Sequence, residues 1–216
     1  AMDIPAIGKV EKATALIQQG DMVILDAESA NVYVRPSDQV QQAMDARIQQ
    51  LAKREAEYEA YRPLPAVTKN GTRISLNINA GLFVDAKSLE QEGIDGIGLY
   101  RTELPYMTSD HFPEVEMQRQ LYAGMYDQLP DKRIIFRSFD IGGDKKVPYL
   151  HAGEEENPAM GWRATRIGLD RPGILRKQFR ALVEAANGRP LHVLLPFIAQ
   201  VAEFDAAKEL MEQELA

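Results

Sequence analysis

Arg133-Ile134-Ile135-Phe136-Arg137-Ser138-Phe139-Asp140-Ile141-Gly142-Gly143-Asp144-Lys145 is the stretch whose reading decides the fold. Ile134, Ile135 and Phe136 form a short apolar, β-prone run, and charge arrives where a buried strand would end. A parallel strand enclosed on both faces offers a guanidinium no water. Arg137 is therefore expected to project from the carboxyl end of the strand, the end at which α/β sheets bind ligands. Gly142 and Gly143 let the backbone fold tightly over a bound group, and Lys145 adds a second cation within reach. The pattern points to an anion, with a phosphate as the first choice. The plainer alternative makes Arg137 and Asp140 a structural ion pair and the two glycines an ordinary turn.

A second stretch weighs against the plainer alternative. Gly96-Ile97-Gly98-Leu99-Tyr100-Arg101-Thr102-Glu103 has the same form, a buried-strand pattern that runs into an arginine at its carboxyl side. Two arginines at corresponding strand ends converge on one site. Around these stretches the sequence alternates strand and helix after residue 70. Arg73 to Ala80 reads as a strand, and Asp85 opens a short helix that Gly93 closes. Gly96 to Glu103 is the second strand, followed by a helix entered through Pro113 and running to about Leu129. Arg133 to Asp140 is the third. Asn157-Pro158 starts a helix through Trp162, Pro172 starts another that Gly188 ends, Leu191 to Ile198 is the fourth strand, and Glu203 onward is helical. Repeated β-then-α units of this length predict an α/β fold with a parallel sheet covered by helices.

The first third of the chain reads differently. A short helix is expected over Lys9 to Gln19, stopped by Gly20, followed by strands at Met22–Leu25 and Val32–Val34. About 35 residues of this kind cannot bury a core of their own. From Ser37 to Tyr61 apolar residues recur at helical spacing, predicting one long amphipathic helix that Pro63 and Pro65 terminate. Its polar face carries both charge signs and its stripe is short, so a helical linker is preferred to a coiled coil or a membrane-surface helix.

Composition excludes several classes. The 216 residues are 45% hydrophobic and 26% charged, an ordinary globular balance. A net charge of -7 with scattered basic residues argues against a nucleic-acid partner, and no apolar run is long enough to span a bilayer, so a cytoplasmic protein is expected. With no cysteine, disulfides and thiolate metal sites are excluded from this sequence. Glu154-Glu155-Glu156 reads as a solvated run rather than a metal site, and His111, His151 and His192 have no partner at a metal or triad spacing.

Three motifs together, Gly96 to Glu103, Arg137 to Lys145, and Glu156-Asn157-Pro158-Ala159-Met160-Gly161-Trp162-Arg163, resemble consecutive motifs of enzyme I of the bacterial phosphotransferase system, the phosphoenolpyruvate-protein phosphotransferases. Their order and spacing match as well. Pyruvate phosphate dikinase and phosphoenolpyruvate synthase share the first arginine but lack the Asp-Ile-Gly-Gly-Asp-Lys form of the second motif. Tyr100 and Leu104-Pro105-Tyr106-Met107 look more like the nitrogen-related paralogue than the sugar-transport enzyme.

The resemblance implies the first half of a phosphoenolpyruvate-binding (β/α)8 TIM-like barrel over residues 72–216, a linker helix and its connection over 37–71, and the tail of a phosphohistidine domain over 1–36. It implies that Arg101 and Arg137 grip the phosphoryl group, that Asp140 orients an arginine, and that Lys145 and Arg163 complete a positive rim. The implied substrate is phosphoenolpyruvate, the partner an HPr-type phosphocarrier protein, the cofactor Mg²⁺, and the parent a homodimer. The family's phosphoacceptor histidine is expected before Ile4-Pro5-Ala6, and its metal carboxylates and acid cysteine beyond the fourth strand. The expectation is thus half a substrate site without reacting groups, inactive by itself, with open sheet edges that favour self-association. The rival reading is a non-catalytic module that senses phosphoenolpyruvate.

Overall fold

The computed structural model describes residues 4–83, 85, 93–143, 145, 147–150, 156–157 and 160–216. The chain divides into two compact units, Ala1–Leu64 and Pro65–Ala216. No helix among the described residues is long and apolar enough to cross a membrane.

In the first unit, α1 (Ala13–Leu16) precedes a hairpin of β1 (Val23–Asp26) and β2 (Asn31–Val34), then the 22-residue α2 (Asp38–Glu59). The hairpin is antiparallel, pairing Val23 with Val34 and Asp26 with Asn31. Its turn is held by Asp26, whose carboxylate accepts hydrogen bonds from the Ser29 hydroxyl at 2.6 Å and from Arg47 of α2 at 2.9 Å. The helix expected over Lys9 to Gln19 contracts to one turn. Lys9 and Lys12 both adopt left-handed backbone, and no residue of α1 is buried, so the Val10–Ala13–Ile17 stripe gains too little burial to support a longer helix. Gly20 takes the expected left-handed conformation, φ +94°. No apolar side chain described in this unit is fully buried, in keeping with its small size.

The second unit is a four-stranded parallel sheet in the order β3 (Asn77–Ala80), β4 (Gly96–Arg101), β5 (Arg133–Arg137), β6 (His192–Leu194). The α/β class read from the alternation is the one observed. The helices are α3 (Leu104–Thr108), α4 (Val115–Gln128), α5 (Thr165–Asp170), α6 (Pro172–Ala186) and α7 (Val201–Leu215). The core forms where sheet meets helices: Ile97, Ile134 and Phe136 of the strands are buried with Tyr122 and Met125 of α4 and Leu175, Phe179 and Leu182 of α6. The buried face of α6 has the spacing 175, 178, 179, 182, one helical stripe that is apolar except at Gln178. Gly96 opens β4 because a Cβ there would lie 2.3 Å from the Arg133 carbonyl oxygen, so only glycine allows the first rung of the β4–β5 ladder.

Several predicted elements differ in extent. The strand expected over Arg73 to Ala80 is ordered as a ladder only from Asn77, because Asp95 captures the preceding segment, accepting from Arg73 at 2.5 Å and from the Leu76 amide at 2.8 Å. The fourth strand is three residues long rather than eight, since Pro196 cannot donate to a ladder and Phe197 has positive φ. A helix through Trp162 is absent at Met160–Trp162, and Pro158 and Ala159 lie outside the described residues. The Ala164 amide bonds the Ile141 carbonyl at 2.9 Å and Ala164 has φ +51°, so this segment is pinned against the glycine turn and the helix starts only at Thr165. The short helices α3 and α5 were not expected. The helix read between Asp85 and Gly93, His151, and Glu154-Glu155 fall largely or wholly outside the described residues. His111 and His192 are both exposed.

Candidate functional site

The carboxyl ends of β4 and β5 carry the site. The register makes Arg101 and Arg137 direct Cα partners, so the two arginines that sequence placed at corresponding strand ends stand side by side. Beyond Arg137 the chain does not leave the core. Phe139 and Ile141 are buried, Phe139 with its ring 5.8 Å from that of Tyr106, and these alternating anchors turn Asp140 to the opposite side.

Asp140 is the centre of a charge cluster. One carboxylate oxygen, Oδ1, accepts from Arg163 Nη2 at 2.8 Å, and Oδ2 accepts from Lys145 Nζ at 2.8 Å with Arg137 Nη1 at 3.2 Å. Glu103, just past the end of β4, accepts from Arg137 Nη2 and, at 2.8 Å, from Lys145 Nζ. Both carboxylates are buried, with side chains 4% exposed. Burial opposes ionisation of Asp140, but hydrogen bonds from Lys145 and Arg163 and the charge of Arg137 outweigh it, holding the carboxyl below the usual aspartate range. Arg163 also lies with its guanidinium carbon 4.2 Å over the Phe197 ring.

The glycine turn sets this geometry. Gly142 and Lys145 exchange backbone hydrogen bonds at 3.1 and 3.0 Å, which bends Lys145 back over Asp140. Gly142 has φ +108°, and a Cβ there would meet the Trp162 carbonyl oxygen at 2.8 Å and Arg163 Cα at 2.9 Å. Close approach of the turn to residues 162–163 is what brings Arg163 to Asp140 from a separate segment.

Of the residues singled out from sequence, Arg137, Asp140, Lys145 and Arg163 are joined in one network. The Arg137–Asp140 pair of the plainer reading is present, but as one edge of a five-residue cluster. Arg101 is exposed and makes no ion pair among the described residues. Glu103, Arg137 Nε and Ser138 are telling: Glu103 Oε2, Arg137 Nε and Ser138 Oγ are buried without a hydrogen-bond partner among the described residues. Of these, Arg137 Nε and Ser138 Oγ can donate to an anion, whereas Glu103 Oε2 can only accept. Arg137, Lys145 and Arg163 against Glu103 and Asp140 leave one net positive charge, and Arg101 adds another.

Sequence reasoning quoted Glu103 without giving it a role. β4 ends at Arg101 and Glu103 already has helical backbone at the start of α3, so strand alternation does not place it. Thr102 and Gln178, described below, were also missed.

The family described as PEP-utilising enzyme, PEP-binding domain matches residues 55–216. The chain belongs to this family. Along its whole length it is 39% identical to a phosphoenolpyruvate-protein phosphotransferase of Latilactobacillus sakei and 37% identical to one of Staphylococcus carnosus, and over 99% of its length 35% identical to one of Bacillus subtilis. It spans 38% of the length of each of these relatives. Members of the family resembled on sequence use Mg²⁺, but the described residues contain no group of three or more His, Cys, Asp or Glu that could hold a metal ion. Glu103 and Asp140 are committed to cations and do not fit the ion.

Proposed function

We propose that the chain is the phosphoenolpyruvate-gripping part of a phosphoenolpyruvate-protein phosphotransferase, which passes the phosphoryl group through a histidine of its own to an HPr-type phosphocarrier protein. The observation that carries this reading is the register of Arg101 against Arg137 at the carboxyl edge of a parallel sheet, in a chain that belongs to the PEP-utilising family. In this reading residues 72–216 are the first half of a (β/α)8 barrel, 37–71 its linker and 1–36 part of a phosphohistidine domain.

The arrangement suits phosphoryl transfer, in which charge spreads over the equatorial oxygens and catalysis rests on positioning and electrostatics. Arg137 is pre-oriented by Glu103 and Asp140, so little rotamer freedom is lost when its remaining face meets an anion. Arg101 is exposed and makes no ion pair among the described residues, so it can swing onto the same oxygens. Lys145 and Arg163 supply field rather than direct contact, since their donors are turned to carboxylates.

Arg101→Ala in the full-length protein tests the reading cleanly, because Arg101 makes no ion pair among the described residues and its loss should leave folding intact. One charge-assisted hydrogen bond is worth about 1.5–3 kcal/mol, so phosphoenolpyruvate affinity measured by calorimetry should fall about 10- to 100-fold. Unchanged affinity in Arg101→Ala and in Arg137→Ala alike would sink the proposal.

A further inference from the structure

The ends of β4 and β5 are tied together by a second set of hydrogen bonds, buried or part-buried and all uncharged. The Thr102 hydroxyl donates to the Arg137 carbonyl oxygen at 2.8 Å. Gln178, from the apolar stripe of α6, donates through Nε2 to that same hydroxyl at 3.0 Å and to the Tyr122 hydroxyl at 3.1 Å, while its Oε1 accepts from the Phe139 amide at 2.9 Å. Tyr122 and Tyr106 both donate to Gln118 Oε1, at 3.1 and 2.7 Å, and Gln118 Nε2 reaches the Pro113 carbonyl at 2.8 Å. Thr102 is 1% exposed and Gln178 not at all.

The placement of these bonds is specific. The β4–β5 ladder ends at Arg101 and Arg137, the residue after each being where a strand pair begins to splay. There the Thr102 side chain takes the Arg137 carbonyl and the Gln178 side chain takes the Phe139 amide, so side-chain bonds continue the work of the ladder for two more residues. A fully satisfied buried polar network holds one geometry where an apolar core of equal volume would tolerate several. Gln178 stands between Leu175, Phe179 and Leu182 on a stripe that packing alone would fill with another apolar residue.

We infer that Thr102 and Gln178 are positioning residues for the anion grip: they form a clamp that fixes the spacing and direction of Arg101 and Arg137 without touching the ligand. This rests on the reading of those two arginines given above. Because a displacement of about 1 Å at a reacting site can lower rates a hundredfold, a clamp that starts one residue after Arg101 and holds the Arg137 carbonyl and the Phe139 amide controls binding as well as stability.

The test uses the full-length protein and phosphoenolpyruvate, with KM and kcat measured for Thr102→Val, Thr102→Ser, Gln178→Met and the Val/Met double variant, each at a temperature where circular dichroism shows it folded. The clamp predicts a rise in KM of roughly tenfold or more for Thr102→Val and Gln178→Met, recovery to near the parent value in Thr102→Ser, and a double variant scarcely worse than either single, since both break one path. Gln178→Met serves alone should Thr102→Val fail to fold. A parent-like KM in folded Thr102→Val or Gln178→Met overturns the clamp, as does an equal rise in Thr102→Ser, which would assign the effect to the lost methyl. Arg101→Ala run beside them separates the two ideas: if it weakens phosphoenolpyruvate while the clamp variants do not, only the clamp falls, and if it too is silent, the grip and the clamp fall together.

Discussion

Replacing Asp140 by asparagine keeps the shape of the side chain and removes one charge from the centre of the cluster. Three cations lose a carboxylate within 2.8 to 3.2 Å, and Glu103 is left to balance them. Removing one partner of a buried ion pair typically costs about 3–5 kcal/mol, because the other charge stays behind uncompensated. Lys145 and Arg137 retain 23% and 15% of their side-chain exposure, and asparagine can still accept from one donor, so the lower end, about 3 kcal/mol, applies. For a unit of this size each kcal/mol moves the melting temperature about 2–4 °C, which gives a drop of about 6–12 °C. Thermal unfolding of the 216-residue chain by circular dichroism reads it directly. The pH dependence supplies an internal check. Asp140 is held below the ordinary aspartate range, so its stabilising contribution is complete above about pH 4 and is lost as pH falls through its native value. The gap between parent and Asp140→Asn should be constant from neutral pH to about 5 and close below about 4. A drop under about 2 °C at pH 7 would show that the cluster is solvated rather than a buried network, and a gap that persists once Asp140 is protonated would show that it does not come from the Asp140 charge.

Gly142→Ala is expected to cost about 2–4 kcal/mol, from a side chain forced to φ +108° and a Cβ driven into the Trp162 carbonyl and Arg163 backbone. Denaturant titration should show the loss, and a cost under about 1 kcal/mol would mean that the turn relaxes freely. Phe136→Ala empties a fully buried position ringed by Tyr100, Tyr122 and Tyr126 at centroid distances of 5.5, 5.5 and 5.4 Å, and should cost about 3–5 kcal/mol by the same titration. A loss under about 2 kcal/mol would contradict its place at the centre of the sheet–helix core.

What could be read from sequence was what depends on short-range pattern. Arg101 and Arg137 were legible because a guanidinium cannot finish an enclosed strand anywhere but at its open end, and the register then sets them side by side. The α/β class followed from alternation, and the stop read at Gly188 falls next to the observed end of α6 at Ala186, whereas Gly20 has the expected positive φ but α1 already ends at Leu16. Segments whose conformation depends on distant partners were not legible. The absence of helix before Arg163 is imposed by Gly142 and Ile141, some twenty residues earlier, and the truncation of the first parallel strand by Asp95, about twenty residues later. Gln178 illustrates the limit: its position on an apolar stripe is visible, but its partners at 102, 122 and 139 are known only once the sheet and helices are assembled.

The charge count of the site ties these parts together. Arg137 and Lys145 are drawn to both Glu103 and Asp140 and Arg163 to Asp140, and unit charges 4 Å apart repel by about 4 kcal/mol at an effective dielectric near 20. Without Glu103 and Asp140 the three cations could not share this space, so the carboxylates are a condition of assembling the site and not competitors for the ligand. They leave one positive charge on the cluster and a second on Arg101. A phosphate group carries about two negative charges near neutral pH, so it would close that balance where a carboxylate ligand would meet only half of it. This charge balance predicts discrimination by charge before shape. Asp140→Asn, which raises the residual charge by one, should therefore bind inorganic phosphate no more weakly than the parent even as it melts earlier. Calorimetry at low salt decides the point: weaker phosphate binding in folded Asp140→Asn would mean that orientation of Arg137, rather than net charge, governs the grip.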